Sequence, residues 1–439
     1  MQGRMPTDIL DPMKSRPAAS PSPEGSVPGA LPEETVREAG AAPRWIQLGS
    51  AEYRNAGWAL FLAGFASFSL IYCVQPLLPA FADTFGVSPA ESSLALSLTT
   101  GLLAVAIVMA GAFSQALGRR GLMFCSMFLA AVCDIVAAIT PSWLGLLAAR
   151  AVEGFVIGGV PAVAIAYLSE EIEPASLGKA MGLYVAGTAF GGMTGRVGMG
   201  LLTEFTSWRT ALGLIGVLCL AAATGFLLLL PRSRNFVPRP GFDLAFHWRA
   251  WKGHLLNRGL LRLYACGFLL TSVFVALFNY ATFRLSGAPY LMSPTQISLV
   301  FLAYAFGMIS SSVAGALADR FGRRPLLMAG FLTMLLGVAA TLSASLLLII
   351  AGIVLVTTGF FIAHSVASGS IGPLAGASKG HAASLYLLFY YMGSSIVGSM
   401  GGWFWQHGGW PAVAGLAAAL ALAGLVLAAK GDGRPRACA

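Results

Sequence analysis

Charged residues are scarce in this sequence, and so are the residue groups on which most enzymes depend. Asp, Glu, Lys and Arg make up 10% of the 439 residues, against about 25% in soluble globular domains. The six cysteines include no CxxC pair, which argues against a disulfide framework. His247 and His254 stand in a basic loop without further ligands, so neither a metal site nor a cofactor is predicted. The absence of a phosphate-binding glycine loop and of a nucleophile–base pair argues against an ATP-driven pump and against an enzyme.

Apolar residues are abundant and grouped in runs of membrane-spanning length. The chain is 57% apolar and has 53 glycines. A run of about 20 apolar residues crosses a hydrocarbon core of roughly 30 Å, and small residues let helices pack closely where water is absent. We therefore predict an all-α membrane protein with twelve transmembrane helices. The predicted spans are 56–80, 92–117, 122–140, 143–168, 177–203, 209–230, 260–283, 296–318, 325–343, 346–369, 381–403 and 411–430.

The net charge of +9 follows from the placement of the cations. All but four of the 27 Lys and Arg fall in the tails or in every second connection between spans. Arg150 and Arg196 lie inside spans, which leaves Arg209 and Arg284 on the alternate side. This bias predicts that both termini are cytoplasmic. The positive charge therefore needs no nucleic-acid partner to explain it.

Three segments outside the spans are polar. Residues 1–55 are rich in Pro, Ala, Ser and Glu, lack the pattern of a signal peptide, and are predicted to be a disordered cytoplasmic tail. Residues 231–259 are predicted to be a solvated cytoplasmic linker on the anionic membrane surface. This linker separates an N-terminal bundle of six spans (56–230) from a C-terminal one (260–430). Residues 431–439 are a second cytoplasmic tail.

Two similar loops indicate that the six-span unit is repeated. The stretch from Gly315 to Arg324 reads GALADRFGRR, and the stretch from Gly111 to Arg120 reads GAFSQALGRR. The earlier copy has Gln115 in place of the acid. Further residues recur at a near-constant spacing: Gly178 and Gly380, Gly191 and Gly393, Gly200 and Gly402, Trp208 and Trp410. Two pseudo-symmetric six-helix bundles in parallel orientation are therefore predicted.

These motifs resemble those of the major facilitator superfamily over about residues 56–430. The second loop matches the motif G-x-x-x-D-R/K-x-G-R-R/K at every defined position, and Arg150 to Gly154 resembles R-x-x-Q/E-G. Span five keeps four glycines of the family's antiporter motif, but Gly192 replaces its proline and Arg196 its last glycine. Closer similarity to YnfM-type bacterial inner-membrane transporters lies in Tyr72…Gln75-Pro76, Tyr167–Ile172, Gly191–Met193 and Ala363–Ser368.

Charges inside the spans are candidates for proton coupling, since each costs about 2.5–3.5 kcal/mol at the bilayer centre. Asp134 and Arg150 lie at similar depth on either side of the Pro141 turn, so an ion pair between spans three and four is expected. Glu153 is three residues after Arg150, faces nearly the same way, and competes for it. The alternative to coupling is a static cluster that locks two helices.

Polar groups in the spans are candidates for substrate binding. Arg196 could bind an anionic substrate group or pair with an acid such as Glu204. The resemblance implies that spans one, four, seven and ten line the pathway, and His364 could act as a proton-linked gate or as a helix-end hydrogen-bonding residue. The substrate-binding candidates are Tyr72, Gln75, Tyr184, Arg196, Asn279, Tyr280, His364, Tyr386 and Tyr390.

The two loops are predicted to act as gates of unequal strength. Asp319 is expected to accept hydrogen bonds from the end of span eleven and hold the cytoplasmic side closed, whereas Gln115 lacks the charge. Asp319→Asn should therefore damage transport more than Gln115→Ala. The gating candidates are Gly111, Gln115, Arg119, Arg120, Gly315, Asp319, Arg320, Gly322, Arg323 and Arg324.

The resemblance implies a secondary transporter that works by alternating access between its two halves. The glycines of span five favour proton-coupled efflux of a small organic molecule, with proton-coupled uptake of a metabolite as the alternative. A non-transporting sensor on the same fold is the third possibility, although the tails are too poor in apolar residues for a signalling domain. The expected partners are a small-molecule substrate, protons and the lipid bilayer. We expect a monomer in a bacterial inner membrane, with no nucleic acid bound.

Overall fold

The computed structural model describes residues 45–236, 244–376 and 379–430. Within these ranges, the side chains of residues 111–117, 244 and 319 are not among the described parts. Residues 1–44 and 431–439 lie outside the described residues, so the disorder predicted for the N-terminal tail and the cytoplasmic tail predicted at 431–439 stay predictions.

The first six spans are helices, three of which are interrupted by a short break. A single turn of 3₁₀-helix, Gln75–Leu77, carries Pro76 and links the two parts of span one. The helices are Ala51–Tyr72 and Leu78–Phe85 (span one), Pro89–Ser92 and Leu94–Leu117 (two), Arg119–Ile139 (three), Trp143–Ile157 and Gly159–Glu171 (four), Leu177–Phe205 (five) and Trp208–Leu229 (six).

The last six spans follow a shorter helix in the linker. Span eight contains a turn of 3₁₀-helix at Val300–Leu302, close to its start. The helices are Leu244–Leu256 (linker), Arg258–Ser286 (span seven), Pro294–Leu299 and Ala303–Phe321 (eight), Arg323–Ala340 (nine), Leu346–Gly369 and Ile371–Leu374 (ten), and Lys379–Ala429 (eleven and twelve).

Ten helical segments of the described chain are long and apolar enough to cross a membrane. One of them, Lys379–Ala429, is broken at Gly409, whose φ of 57° is left-handed, so it contains two spans. The 29-residue helix Leu177–Phe205, long enough to cross at 1.5 Å per residue, completes the set of twelve. The described residues contain no β-strand, and one isolated bridge joins Ile46 to Ile172. The all-α class with twelve transmembrane helices is confirmed.

The first span begins earlier than predicted. Its helix starts at Ala51, capped by the Ser50 side chain, so residues 51–55 belong to the helix and not to a tail. The preceding Ile46 is 2% exposed, and its backbone N–H donates to the Glu171 carbonyl at 2.8 Å. This part of the predicted tail is ordered against the end of span four.

The linker also departs from the prediction of a solvated segment. His247 and His254 lie on the helix Leu244–Leu256 rather than in a loop, and both are mostly buried. The His247 Nδ1 atom is 2.8 Å from Nε2 of His381 at the start of span eleven, and Trp251 stacks on His247. In this 13-residue segment apolar residues are interspersed with polar and basic ones without a clear helical period, so the sequence gives only a weak signal for a helix.

The two repeated loops turn in the same way. Gly118 and Gly322 have φ values of 77° and 86°, a conformation that glycine adopts without a steric penalty. Each glycine ends one span and begins the next within a single residue. The arginines that follow cluster on this side of the bundle, which we call the basic side; the other is the opposite side.

Contacts between the two halves are found on the opposite side. The backbone N–H of Thr295, at the start of span eight, donates to Glu204 at the end of span five at 3.1 Å. A Cβ atom on Gly200 would lie 2.3 Å from Cβ of Ser298, and one on Gly402 would lie 2.3 Å from Cα of Ala90. Glycine is therefore needed for these close approaches.

Candidate functional site

Three clusters of polar and aromatic side chains lie inside the bundle. The Arg150 cluster contains Asp134, Arg150 and Glu153. The Arg196 cluster contains Tyr72, Gln75, Arg196, Asn279 and Tyr304. The His364 cluster contains Phe360, His364, Tyr386 and Tyr390.

The Arg150 cluster joins spans three and four, as predicted. Arg150 Nη1 lies 3.3 Å from Oδ1 of Asp134 and 2.6 Å from Oε2 of Glu153, and all three side chains are fully buried. Span four starts at Trp143 with Ser142 as its N-cap, so Arg150 lies two turns into the helix. The predicted ion pair and the competing Glu153 are both confirmed.

Arg150 also binds the end of the first helix. Its Nη1 and Nη2 atoms donate to the carbonyl oxygens of Leu70 at 3.1 Å and Ile71 at 2.9 Å, and Nε donates to Ala95 of span two at 3.2 Å. The carbonyls of Leu70 and Ile71 belong to the last turn of a helix that ends at Tyr72. A cation there satisfies unpaired carbonyls and interacts favourably with the helix dipole. Arg150 therefore links spans one to four.

The Arg150 cluster has four carboxylate oxygens, and the described donors reach only two of them. Oδ2 of Asp134 and Oε1 of Glu153 are buried without a hydrogen-bond partner among the described residues. With both acids ionised, the cluster carries one net negative charge in a region where buried charge is costly. A proton on either free oxygen would neutralise it, so the geometry suits a site that binds and releases one proton.

Arg196 is surrounded by aromatic rings instead of acids. It is 1% exposed, and its Cζ lies 4.1 Å from the ring centroid of Tyr72, 4.7 Å from Tyr304 and 5.4 Å from Phe301. No carboxylate forms an ion pair with it among the described residues. The pairing with Glu204 considered from the sequence is wrong, since that side chain accepts the backbone N–H of Thr295.

Gly192 and Arg196, the two residues that differ from the antiporter motif, are in contact. Arg196 Nη1 donates to the Gly192 carbonyl, one turn earlier, at 2.6 Å. A Cβ atom on Gly192 would lie 3.3 Å from the same Nη1, a tight contact. The glycine in place of proline therefore makes room for the guanidinium that replaces the motif's last glycine.

Gln75 connects Arg196 to the other half. Its Oε1 accepts from Arg196 Nε at 2.7 Å, and its Nε2 donates to Oδ1 of Asn279 at 2.8 Å. An arginine only donates, so it fixes which way the Gln75 amide points. Gln75 and Asn279 are 204 residues apart, the spacing of the repeat, and so occupy equivalent positions in spans one and seven. Asn279 Nδ2 is left buried without an acceptor among the described residues.

The His364 cluster lies in the second half. His364 Nδ1 is 2.9 Å from the Tyr386 hydroxyl, and its ring stacks on Phe360 at 5.6 Å and lies 4.9 Å from Tyr390. The hydrogen bond joins spans ten and eleven near the end of the helix Leu346–Gly369, and the role of His364 as a proton-linked gate or a helix-end hydrogen-bonding residue stays a prediction. Rings continue from Phe360 through Phe361 to Tyr304, and thus reach the Arg196 cluster.

Two predicted substrate residues lie apart from these clusters. Tyr280 donates to the Gly398 carbonyl at 2.8 Å and stacks near Trp405, inside the packing of spans seven and eleven. The backbone of Tyr184 packs against Gly64 of span one. Tyr304 and Phe360, by contrast, were missed. Tyr304 is a polar aromatic inside an apolar run, a usable signal, but it lies on span eight, outside the spans expected to line the pathway.

The predicted gating residues are described only in part. The structure does not describe the side chains of Gln115 and Asp319, or the surroundings of Gly111. The unequal strength of the two gates therefore stays a prediction. On the basic side, Arg119 forms an ion pair with Glu170 at 2.5 Å, and Arg120 donates to the Leu227 carbonyl. Arg324 donates to the Ala429 carbonyl. Each of these three contacts joins two residues of the same half.

Comparisons with known proteins agree with this architecture. The family model described as Major Facilitator Superfamily matches residues 60–290 and 287–437. The chain is 42% identical to the inner membrane transport protein YnfM of Escherichia coli K12, over 92% of this chain and 97% of YnfM. It is also 42% identical to an uncharacterised transporter of the same type, YybF of Bacillus subtilis, over 87% and 95% of the two chains.

Solved structures share the fold at low identity. The inward-facing, unoccupied structure of a bacterial homologue of the human lysosomal transporter Spinster has a TM-score of 0.67 at 16% identity, covering 87% of this chain and 95% of that one. The human organic anion transporter MFSD10 has a TM-score of 0.64 at 18% identity, covering 86% and 99%.

Proposed function

The chain belongs to the major facilitator superfamily and is a multi-pass membrane transporter, not an enzyme; from that premise we propose that it exports a small organic molecule in exchange for protons. The Arg150 cluster is the observation that carries the coupling. Export is favoured because the glycines of span five that match the antiporter motif pack on span one: a Cβ on Gly191 would lie 2.2 Å from the Phe65 carbonyl.

The coupling step follows from the charges in the Arg150 cluster. Arg150 holds both acids and the end of span one at once, so movement of span one against span four changes how much of its charge reaches Glu153 and Asp134. When the Arg150 guanidinium moves away from an acid, the protonated form of that acid is favoured. When the guanidinium returns, release of the proton is favoured. Glu153 is the stronger candidate because it makes the shorter contact, at 2.6 Å against 3.3 Å for Asp134.

The orientation belongs to the same proposal. The basic side carries the arginines of the two repeated loops, and cationic loops are retained in the cytoplasm. The described contacts between the halves lie on the opposite side and in the interior of the bundle, and the opposite side would then face out of the cell. A cavity between the halves would accordingly open to the cytoplasm, the side from which an exporter loads its substrate.

Glu153→Gln tests the coupling in proteoliposomes with an imposed pH gradient. Cationic drugs, sugars and organic anions are screened first on the unmodified protein, and the compound that moves is used thereafter. We expect Glu153→Gln to abolish gradient-driven transport, because a glutamine amide neither binds nor releases a proton as the carboxylate does. Exchange of labelled for unlabelled substrate without a gradient should persist.

Glu171→Gln is the matched control. Glu171 is a fully buried acid on the same span, but it accepts the backbone N–H groups of Arg234 and Asn235 at 2.9 and 3.0 Å. Its variant should keep gradient-driven transport. If Glu153→Gln transports as fast as the unmodified protein under the gradient, the proposed coupling site is wrong.

A further inference from the structure

We propose that the Arg196 cluster binds the anionic group of the substrate, and that the transported molecule is an organic carboxylate with an aromatic or otherwise flat apolar body. This inference rests on the proposed transport function and names its substrate class. Three observations support it. Among the described residues, a buried positive charge has no counter-charge and a buried hydrogen-bond donor has no acceptor, and a row of aromatic rings adjoins both.

The positive charge of Arg196 has no counter-charge among the described residues. The side chain is 1% exposed and lies nine residues before the end of a helix that crosses the membrane, or about 13 Å deep at 1.5 Å per residue. Arg196 donates hydrogen bonds to the Gln75 amide and the Gly192 carbonyl, both neutral acceptors. Ring faces offset the cost of a buried cation only in part.

A donor on the other half is also unmatched. Gln75 presents its oxygen to Arg196 and its NH₂ group to Asn279, so Asn279 accepts through its oxygen and keeps Nδ2 without an acceptor among the described residues. Asn279 is fully buried, where an unpaired donor is costly. The network therefore has an excess of donors, and a carboxylate offers two oxygens and a full negative charge.

The surrounding rings indicate the rest of the ligand. Tyr72 of span one and Tyr304 of span eight flank the guanidinium from the two halves. The rings of Phe361, Phe360 and Tyr390 continue from Tyr304 at centroid distances of 5.7, 5.3 and 6.3 Å. Aromatic walls with one charged anchor suit a flat apolar body that carries one acidic group.

The location explains why such a ligand would be transported rather than stored. Arg196, Tyr72 and Gln75 belong to the first half, whereas Asn279 and Tyr304 belong to the second. When the halves separate on the opposite side, Tyr304 moves away from the guanidinium and the Gln75–Asn279 bond breaks. A carboxylate would therefore be held by both halves in one state and released in the other.

The test compares acids with amides of the same shape on the purified full chain in detergent. The probes are benzoate and benzamide, phenylacetate and phenylacetamide, and cinnamate and cinnamamide, with affinity measured by calorimetry. At least one acid should bind the unmodified protein about tenfold or more tighter than its amide, as expected when a charged hydrogen bond is lost. Absence of binding by every acid, or equal affinity for acid and amide, would overturn the proposal without any variant.

Arg196→Gln should remove the preference, so that acid and amide bind alike. Arg209→Gln is the matched control. Arg209 also lies over a ring, 4.3 Å from the Trp208 centroid, and also donates to backbone carbonyls. It lies at the start of span six, on the opposite side and away from the Arg196 cluster. Arg209→Gln should leave the preference unchanged. If Arg196→Gln is not folded, Arg196→Lys keeps the charge without the two-pronged geometry and should show a reduced preference. An unreduced preference in either variant at position 196 contradicts the site.

The result separates this inference from the coupling proposal. A carboxylate preference that depends on Arg196, without gradient-driven transport, would keep the anion site and refute proton coupling. Gradient-driven transport of neutral compounds that is insensitive to Arg196→Gln would keep coupling and refute the anion site.

Discussion

Arg150 holds more of the structure together than any one of its ion pairs suggests. Its guanidinium donates to two acids and to carbonyls of spans one and two, which uses the planar fork that lysine lacks. Because the group is fully buried, removing it takes a charged donor away from two carboxylates and three backbone carbonyls. Its contribution to stability is therefore inseparable from its position beside the proposed proton site.

Arg150→Met should be strongly destabilising for this reason. Breaking a buried ion pair by removing one partner costs about 3–5 kcal/mol, so the apparent melting temperature in detergent should fall sharply. The triple variant Arg150→Met, Asp134→Asn and Glu153→Gln, which removes the orphaned charges, should recover much of that loss. A triple variant no more stable than the single one would show that charge imbalance is not the cause.

At the residue scale, the sequence predicts local relations better than relations between the halves. The Asp134–Arg150–Glu153 contacts follow from helical spacing and one tight turn, so arithmetic on residue numbers finds them. Arg196 meets Tyr304, more than 100 positions away, only because spans five and eight pack across the interface. No local pattern encodes that pairing, and along the chain the nearest acid to Arg196 is Glu204, which was therefore the partner considered from the sequence.

At the scale of elements, span five shows how glycine sets the spacing of two helices. Cβ atoms on Gly187, Gly191 and Gly195 would lie between 2.2 and 2.8 Å from backbone atoms of span one, closer than any side chain permits. Ser69 donates to the Gly191 carbonyl at 2.9 Å across the same contact. These glycines therefore set the distance between spans one and five, and the tight contact also brings Arg196 beside Tyr72 and Gln75.

Gly191→Ala should destabilise the protein, because its Cβ would meet the carbonyl oxygen and Cα of Phe65, which cannot rotate away. Overpacking of this kind typically costs about 1–3 kcal/mol. Gly182→Ala is the control on the same helix: its Cβ would have nothing within 4 Å, and the higher helix propensity of alanine favours it by up to about 1 kcal/mol. If Gly191→Ala and Gly182→Ala lower the melting temperature equally, the close contact of Gly191 with span one is not the cause of the destabilisation.

Elements were predicted from the sequence with uneven success, for physical reasons. Long apolar runs placed all twelve spans, because hydrocarbon thickness demands them. Their ends were less certain: polar residues such as Glu52 and Tyr53 extend span one past the apolar run. The linker helix was missed because Leu244–Leu256 is held by contacts of His247 and Trp251 with His381, which a local hydropathy pattern does not contain.

For the whole molecule, the interface between the halves repeats the internal symmetry of the chain. Gly200 of span five and Gly402 of span eleven are equivalent in the repeat, and each packs against the other half, on Ser298 and Ala90 respectively. Gln75 and Asn279, the equivalent residues of spans one and seven, meet each other. Equivalent residues that contact one another must lie near the axis relating the halves, so Arg196, bound to Gln75, is placed beside that axis.

Gly200→Ala should shift the molecule away from the state in which the opposite side is closed. The added Cβ would lie 2.3 Å from Ser298 Cβ and 2.6 Å from the Pro294 carbonyl, and rotation of the Ser298 side chain relieves neither contact. Separation of the halves on that side relieves both, so the variant should stay folded while the equilibrium moves. Hydrogen–deuterium exchange should then be faster at residues 294–299 and slower near Gly118 and Gly322.

Gly198→Ala, two positions earlier on the same helix, is the control. Its Cβ would first meet Ile215 of its own half at 4.0 Å, so its exchange pattern should match that of the unmodified protein. Because Gly402 is the symmetry equivalent of Gly200, Gly402→Ala should produce the same shift through Ala90. Opposite shifts from the two glycine variants, or a uniform rise in exchange throughout the chain, would show that these contacts only stabilise the fold. A common shift would show that one symmetric interface governs which side of the transporter is open.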